Sequence, residues 1–562
     1  MRGIYANMID NFVPPGHICP YVFQVHWLLK SLGDFCTFAA VQDKYLTYFM
    51  QKEIEITLAP EDVGEEAQLR NSLSSALNVD ISKIKGYKIL KRSIDARSRK
   101  VIYRLQVRVF IEEEPVPEVF AVNYPNVSNN KHVIIVGAGP AGLFAALQCI
   151  ENGLKPIVLE RGKDVKQRRR DLAAINKEGI VNTESNYCYG EGGAGTYSDG
   201  KLYTRSNKRG DINKVLQIFV EHGATDDILV DARPHIGTNK LPHIITAIRE
   251  QILNAGGEVR FDQKVTDILV DFGKIKGVVV NGQDQLFADA VILATGHSAR
   301  DIYELLDQKN ILVEAKPFAL GVRIEHPQAI IDAAQYHCDI RSEFLPPAYY
   351  SLVEQVGSRG VFSFCMCPGG IIAPCATYEN EIVVNGWSPS KRNNPFANSG
   401  TVVQITLEDV KGDDPLRMMH FQAEIEKTAF QLGGGNLVAP GQRMVDFVEN
   451  RISADLPKNS YLPGTKSVML KETLPDFVAS SLRNALPLFG KKMRGYYTNE
   501  AILVGVESRS SSPVRIPRDK ESFQHPQISG LFPCAEGAGY AGGIVSAAID
   551  GVNCANAVLK YI

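Results

Sequence analysis

HVIIVGAGPAGLFAALQCIENGLKPIVLE, residues 132–160, is the stretch whose parts agree on one fold. The β-branched run Val133–Val136 reads as a buried strand, Gly137, Gly139 and Gly142 complete GxGxxG, and the alanine-rich segment to Asn152 reads as a helix closed by Gly153. A second strand over 156–159 ends at Glu160, where dinucleotide folds keep the acid that hydrogen-bonds the adenine-side ribose. Each glycine has a physical task. Gly137 permits the tight turn, Gly139 lets the backbone approach a pyrophosphate, and Gly142 lets helix and strand pack closely, while the first helical turn offers free N–H groups to phosphate.

Working outward, 562 residues predict about four domains, and 44% hydrophobic residues suit large packed cores. Lys plus Arg number 61 against 63 Asp plus Glu, and the net charge of -2 gives no global field for nucleic acid or anionic membrane. The densest basic run, Lys163, Lys166, Arg168, Arg169 and Arg170, alternates with polar residues and reads as a solvated loop or helix face. Ten cysteines without secreted-domain spacing predict a reducing compartment, with the cytoplasm as default. No basic, apolar and small-residue series marks a signal peptide. The longest apolar stretch, 132–150, is split by its glycines and Pro140, so no membrane span is expected.

Residues 1–49 are aromatic-rich, contain Cys19 and Cys36, and read as an N-terminal extension, with Met50 a candidate native start. Alternation over 53–58, a helix capped by Asp62 and carrying Val63, Leu69, Leu73 and Leu77, and strands over 87–94 and 101–111 predict a small α+β domain at 50–120. The first part of the dinucleotide-binding domain occupies 131–315. It includes strand patterns at 258–261, 265–270 and 275–280, and AVILATG at 290–296, a core strand emerging at a cofactor edge. Residues 316–500 mix strand and helix without a nucleotide fingerprint and read as an inserted substrate or cap domain. Residues 501–562 return to the binding fold through LFPCAEGAGYAGGIVSAAIDG at 531–551. The fold class is thus α/β (α+β), with a discontinuous Rossmann-like domain, an inserted mixed α/β domain and a small N-terminal α+β domain.

GAGPAG with its distant Glu160, ATG at 294–296 and EGAGYAGG at 536–543 together resemble the glutathione-reductase-like FAD superfamily. GEGGAGTYSDGKL (190–202), ATGHSARD (294–301), GVRIEHPQ (321–328), FCMCPGG (364–370) and GVESRSSSPVRI (505–516) look like a family of bacterial FAD-dependent dehydrogenases with largely unassigned substrates, over residues 50–562. The resemblance implies FAD, held by Gly137, Gly139, Pro140, Ala141, Gly142, Glu160, Arg161, Gly193, Ala194, Gly195, Lys201, Val265, Ala294, Thr295, Gly296, Glu536, Gly537, Gly543 and Ile544. Most members place Gly-Asp at the C-terminal landmark; Ala535-Glu536 stands here, so Glu536 is the counterpart of the acid on the ribityl chain. Gly542 and Gly543 open a helix whose N–H groups favour negative charge beside them.

Only one complete fingerprint is present, so a second NAD(P) domain is not expected, and a nicotinamide donor would visit transiently or a protein would supply electrons. The disulfide reductases of the superfamily carry a cysteine pair soon after the ribose acid; here Cys188 comes next, alone, which disfavours their activity. Cys365 and Cys367 sit at i and i+2, which on a strand turns both thiols to one face. They read as buried core cysteines, as a flavin-proximal thiol or redox pair, or as a metal site with Cys375; no metal is assigned. His297 follows the ATG strand end and reads as a proton donor or as a histidine bonded to backbone. Arg323, Arg509 and Arg515 are candidates for gripping an anion, with ion pairing the alternative, and Asp199 and Lys201 share that ambiguity. His337 and Cys338 read as structural. His297, Cys365, Cys367 and Arg323 are the catalytic candidates in an FAD-dependent oxidoreductase acting on a small organic substrate. The alternatives are a flavin-dependent tRNA-modifying enzyme, against which near-zero charge and the chain end at Ile562 argue, and a non-catalytic redox sensor.

Overall fold

The computed structural model describes residues 50–117, 120–204 and 208–562; the expectations for residues 1–49, including Cys19 and Cys36, lie outside the described residues. Two compact units are present. The smaller takes in residues 50–54, 70–88 and 107–117, with Leu73, Ile84, Val107 and Val109 buried. The larger takes in 55–69, 89–106 and 118–562. The division therefore runs through the segment 50–120, whose strands order as Met50–Leu58, Ile102–Ile111, Ile84–Asp95 and whose helix is Glu66–Leu77. Asp62 caps no long helix: a short 3-10 turn, Pro60–Asp62, precedes it.

In the larger unit a five-stranded parallel sheet orders Leu531–Pro533, Val291–Leu293, His132–Val136, Lys155–Leu159 and Glu258–Arg260. All three residues of Val291–Leu293 are buried, as are Val133 to Val136, which fits the continuous apolar runs of strands covered on both faces. The helix Pro140–Glu151 packs against the C-terminal helix Ile544–Tyr561; a Cβ on Gly551 would stand 2.1 Å from the Ala141 carbonyl oxygen, so only glycine permits this approach. An antiparallel sheet, Val265–Asp271, Lys274–Val280 and Asp284–Phe287, forms beside it, one strand more than the sequence suggests.

The insert is organised by a seven-stranded sheet in the order Val353–Val356, Arg359–Cys367, Phe396–Ile405, Phe318–Pro327, Ile502–Glu507, Ala439–Arg443, Thr465–Ser467. Ile502–Glu507, expected in the returning binding domain, pairs with Phe318–Pro327 and Ala439–Arg443 instead. The return begins at Leu531–Pro533. A core cluster including Val322, Ile324, Val403, Leu482 and Phe489 fills this part. Among the described residues no helix is long and apolar enough to cross a membrane.

Candidate functional site

One wall of the main cleft is backbone. Gly137, at φ +104°, lies so close to the strand end of Val291–Leu293 that a Cβ would stand 2.4 Å from the Ala294 oxygen, and a Cβ on Gly142 would stand 1.9 Å from the Gly137 oxygen. Gly139 differs. Its Cβ position is open except for Gly193 Cα at 4.0 Å, so any side chain there would fill the space between the two loops. The helix Pro140–Glu151 starts at Gly139 without a side-chain cap, and Ile544–Tyr561 starts at Gly543 likewise, leaving first-turn N–H groups for a bound anion or polar edge.

Glu160 accepts from the backbone N–H groups of Ala138 at 2.8 Å, Gly162 at 2.9 Å and Gly190 at 2.9 Å. A carboxylate has about four acceptor positions, so one remains for a ribose hydroxyl. Arg161 lines the cleft, but its guanidinium is engaged by Glu184 at 2.6 Å and Asp301 at 2.9 Å and lies over the Tyr189 ring. The loop Gly190–Leu202 is clamped from beneath by Arg168, which is fully buried and donates to the carbonyls of Asn186, Tyr187 and Glu191. This corrects the reading of the basic run as a solvated face: Lys166, Arg169 and Arg170 are exposed, and Arg168 is not.

The other wall is built from side chains. His297 Nδ1 and Glu536 Oε2 stand 3.5 Å apart, joining the ends of two neighbouring parallel strands. Lys201 Nζ lies 3.6 Å from Cys365 Sγ, 3.7 Å from Cys367 Sγ and 3.7 Å from Asp199. Asp199 also pairs with Arg392 at 2.7 Å. Burial works against the Asp199 charge, yet Lys201 and Arg392 outweigh it and hold the carboxyl down at about 2. Of the two thiols, Cys365 is pushed well below the usual thiol range: the neighbouring Cys367 thiol favours its anion, burial opposes, and Lys201 and Arg323 favour the anion further. Cys367 is pushed up by the neighbouring Cys365 and by burial.

Arg323 is fully buried and does not border the cleft. It donates to Asn398 at 2.8 Å, Asn385 at 3.1 Å, Glu507 at 2.8 Å and the Cys365 carbonyl at 2.7 Å, so no N–H fork is left for a substrate anion. Gly386 makes room for it: a Cβ there would stand 2.5 Å from Arg323 Nη2. Arg509 borders the cleft, but with Arg300 it forms a buried network against Glu381 and Glu426, at 2.9 Å to Glu426, and also donates to Thr377 and Ser298. Arg515 is exposed, 3.8 Å from Glu314. Arg323 and Arg509 already spend their N–H groups on internal partners, and Arg515 does not border the cleft.

Gly137, Gly139, Pro140, Ala141, Glu160, Arg161, Gly193, Ala194, Gly195, Lys201, Val265, Ala294, Thr295, Gly296, Glu536, Gly543 and Ile544 all line this one cleft, with His297 and Cys365. Gly142 and Gly537 lie behind it; a Cβ on Gly537 would stand 2.7 Å from the Gly296 oxygen. Cys367 is fully buried and does not line it. Among the described residues Cys375 joins no metal-like cluster. Among the described residues only Cys534, Asp550 and Cys554 bring three such atoms within 4.8 Å, and Arg518 already holds that Asp550 at 2.7 Å. His337 caps a helix, and Nε2 contacts the Ala96 carbonyl at 3.1 Å; it and Cys338 border a separate groove. Cleft residues that sequence reasoning missed include Gln263, Lys264, Phe364, Asn385 and Ser510. Phe364 and Ser510 stand within FCMCPGG and GVESRSSSPVRI without any feature that marks them as cleft-facing, and Gln263, Lys264 and Asn385 lie in no motif.

The open Cβ position at Gly139, the two uncapped helix starts, the spare acceptor of Glu160 and the buried, unpartnered Thr295 Oγ1 all suit an extended dinucleotide cofactor. Residues 131–302 match the family described as pyridine nucleotide-disulphide oxidoreductase, residues 317–510 the family described as FAD-dependent protein, C-terminal domain-like, and residues 50–110 a domain of unknown function. A digeranylgeranylglycerophospholipid reductase of Haloferax volcanii is 26% identical over 213 residues, 35% of this chain and 43% of that protein. Among solved structures, CtdE in complex with FAD aligns with a TM-score of 0.30 at 13% identity, over 76% of this chain and 87% of that one. A geranylgeranyl bacteriochlorophyll reductase-like protein of Thermoplasma acidophilum aligns with a TM-score of 0.32 at 13% identity, over 76% and 78%. An uncharacterized protein of Clostridium beijerinckii is 41% identical over 512 residues, 88% of this chain and 96% of that protein. The chain belongs to one family with that Clostridium beijerinckii protein and is an FAD-dependent protein of oxidoreductase type.

Proposed function

We propose that this chain is a dehydrogenase or reductase acting on a small organic substrate in the main cleft, with a reduced nicotinamide dinucleotide visiting as donor or a protein supplying electrons. FAD, when bound, supplies two-electron hydride chemistry. The observation that carries the reading is convergence: backbone N–H groups of two helix starts, the His297–Glu536 pair and the Cys365–Lys201 contact all border one cleft. The three landmarks shared with the glutathione-reductase-like superfamily support it.

Glu536 faces His297 Nδ1, which leaves Nε2 as the ring atom that accepts or gives a proton to substrate. The uncapped start of Ile544–Tyr561 favours negative charge in the cleft beside it. Arg509, Glu426 and Thr377 hold the neighbouring wall rigid, which keeps substrate orientation fixed. The test is the visible spectrum of the FAD-loaded protein during anaerobic addition of NADH and then NADPH. Bleaching by either supports a nicotinamide donor. A flavin that neither bleaches, and that no organic reductant or protein donor reduces, contradicts the proposal and leaves a non-catalytic sensor.

A further inference from the structure

Segments far apart in the chain meet at two sulfurs. Lys201, from the glycine-rich loop, contacts Cys365 Sγ at 3.6 Å and Cys367 Sγ at 3.7 Å, and Arg323 contacts Cys367 Sγ at 3.6 Å from the neighbouring part of the sheet. The strand Arg359–Cys367 loses register with Phe396–Ile405 between Phe364 and Cys367, and Cys365 takes φ +46°. A residue with a side chain adopts that conformation only where its surroundings impose it, and such distortion gathers at functional sites. Its effect here is to set the two thiols in different environments. Cys365 borders the cleft, Cys367 is sealed behind it, and the Cys367 thiol donates toward the Cys365 carbonyl at 3.3 Å. Both are free thiols.

We infer that Cys365 and Cys367 are a redox-active pair that reduces a small disulfide in this cleft. Cys365 borders the cleft and Cys367 is buried behind it, which selects a small substrate over a folded one. The Cys365 thiolate attacks one sulfur of the substrate disulfide, forming a mixed disulfide and releasing the first thiolate. Cys367 then attacks Cys365 Sγ, releasing the second substrate sulfur, which takes the proton that Cys367 gives up. The two cysteines lose two electrons and the substrate gains them. A hydride equivalent from a reduced nicotinamide dinucleotide returns the pair to one thiolate and one thiol. Lys201 is a positioning residue: its ammonium stabilises the attacking anion.

The inference rests on the cleft's being the redox site proposed above, but its test does not need flavin turnover. The FAD-loaded protein is incubated anaerobically with hydroxyethyl disulfide at neutral pH, quenched in acid, alkylated, and mapped by peptide mass. The expected result is a Cys365–Cys367 disulfide in the unaltered protein, a hydroxyethylthio adduct on Cys365 in Cys367→Ser, and no adduct at Cys367 in Cys365→Ser. In the Cys367→Ser background, Lys201→Met slows adduct formation about tenfold or more and moves its pH profile upward. If substituted chains do not fold, the map of the unaltered protein decides alone. Both thiols alkylated there, with reaction confined to other cysteines, overturns the pair; bleaching by NADH or NADPH in that same preparation would leave the oxidoreductase reading standing.

Discussion

The wall that begins at Gly137 and the wall contributed by the inserted sheet face the same cleft, yet they are made differently. The first is backbone: Gly137, Gly139 and Gly142 act within six consecutive positions, Gly137 and Gly142 constrained by main-chain atoms one strand or a few residues away and Gly139 keeping the space between two loops open. The second is charge and hydrogen bonding among side chains brought together from Lys201, Arg323, Cys365, Arg509 and Glu507. A wall made of local backbone tolerates almost no substitution but carries its meaning in a short motif. A wall made of distant partners spreads its requirement over the chain, and no single residue announces it.

The largest expected effect comes from breaking the backbone wall. Gly142→Val places a side chain against the Gly137 oxygen, and flavin content, read from absorbance of the purified chain, falls to the detection limit or the chain fails to fold. Arg509→Met tests the other wall. It removes one of two cations from a buried network holding Glu381 and Glu426, and the expected loss is about 3–5 kcal/mol, measured by denaturant unfolding. A loss below about 1 kcal/mol, the range of exposed pairs, would show that the second wall is not held by these charges.

His297→Gln sharpens the comparison, because His297 and Glu536 extend from strand ends of the backbone wall and still act through side chains. Turnover with the reducing nicotinamide is expected to fall about a hundredfold with FAD content unchanged. The smallest effect concerns Glu325, which burial pushes up to about 7 although Ser460 donates to it. A carboxyl whose folded value is raised favours the fold below its unfolded value, near 4.5, and loses that contribution as pH rises through about 7. The melting temperature of Glu325→Gln is therefore expected to fall less than that of the unaltered protein between those limits, by roughly 1–3 °C. Parallel curves would contradict it.

These differences also explain what was legible. The strand, turn, helix and acid of 132–160 are local, and all fall where the pattern places them, as do the strand end at Ala294–Gly296 and the helix start at Gly543. The i, i+2 spacing of Cys365 and Cys367 predicts one shared face, and both sulfurs do meet Lys201 Nζ; nothing in FCMCPGG signals the register break and positive φ at Cys365, or that one thiol borders the cleft while the other is sealed. Arg168 sits in a run that looks solvated, since helical periodicity shows which residues share a face but not that a glycine-rich loop will fold over one of them. Ile502–Glu507 is fully buried and apolar up to its last residue, a pattern equally suited to either sheet; only pairing with Phe318–Pro327 and Ala439–Arg443 assigns it. Arg323 and Arg509 were legible as important arginines but not as internal partners, because Glu507, Glu381 and Glu426 are far away in sequence.

The most direct test of the account is the cofactor stoichiometry of the unaltered chain after reconstitution with FAD, read from the flavin released on denaturation against protein concentration. One FAD per chain, held through gel filtration, is expected. Retention of less than about a tenth of that, in a chain shown to be folded, would contradict the assignment of the glycine-lined cleft as the flavin site.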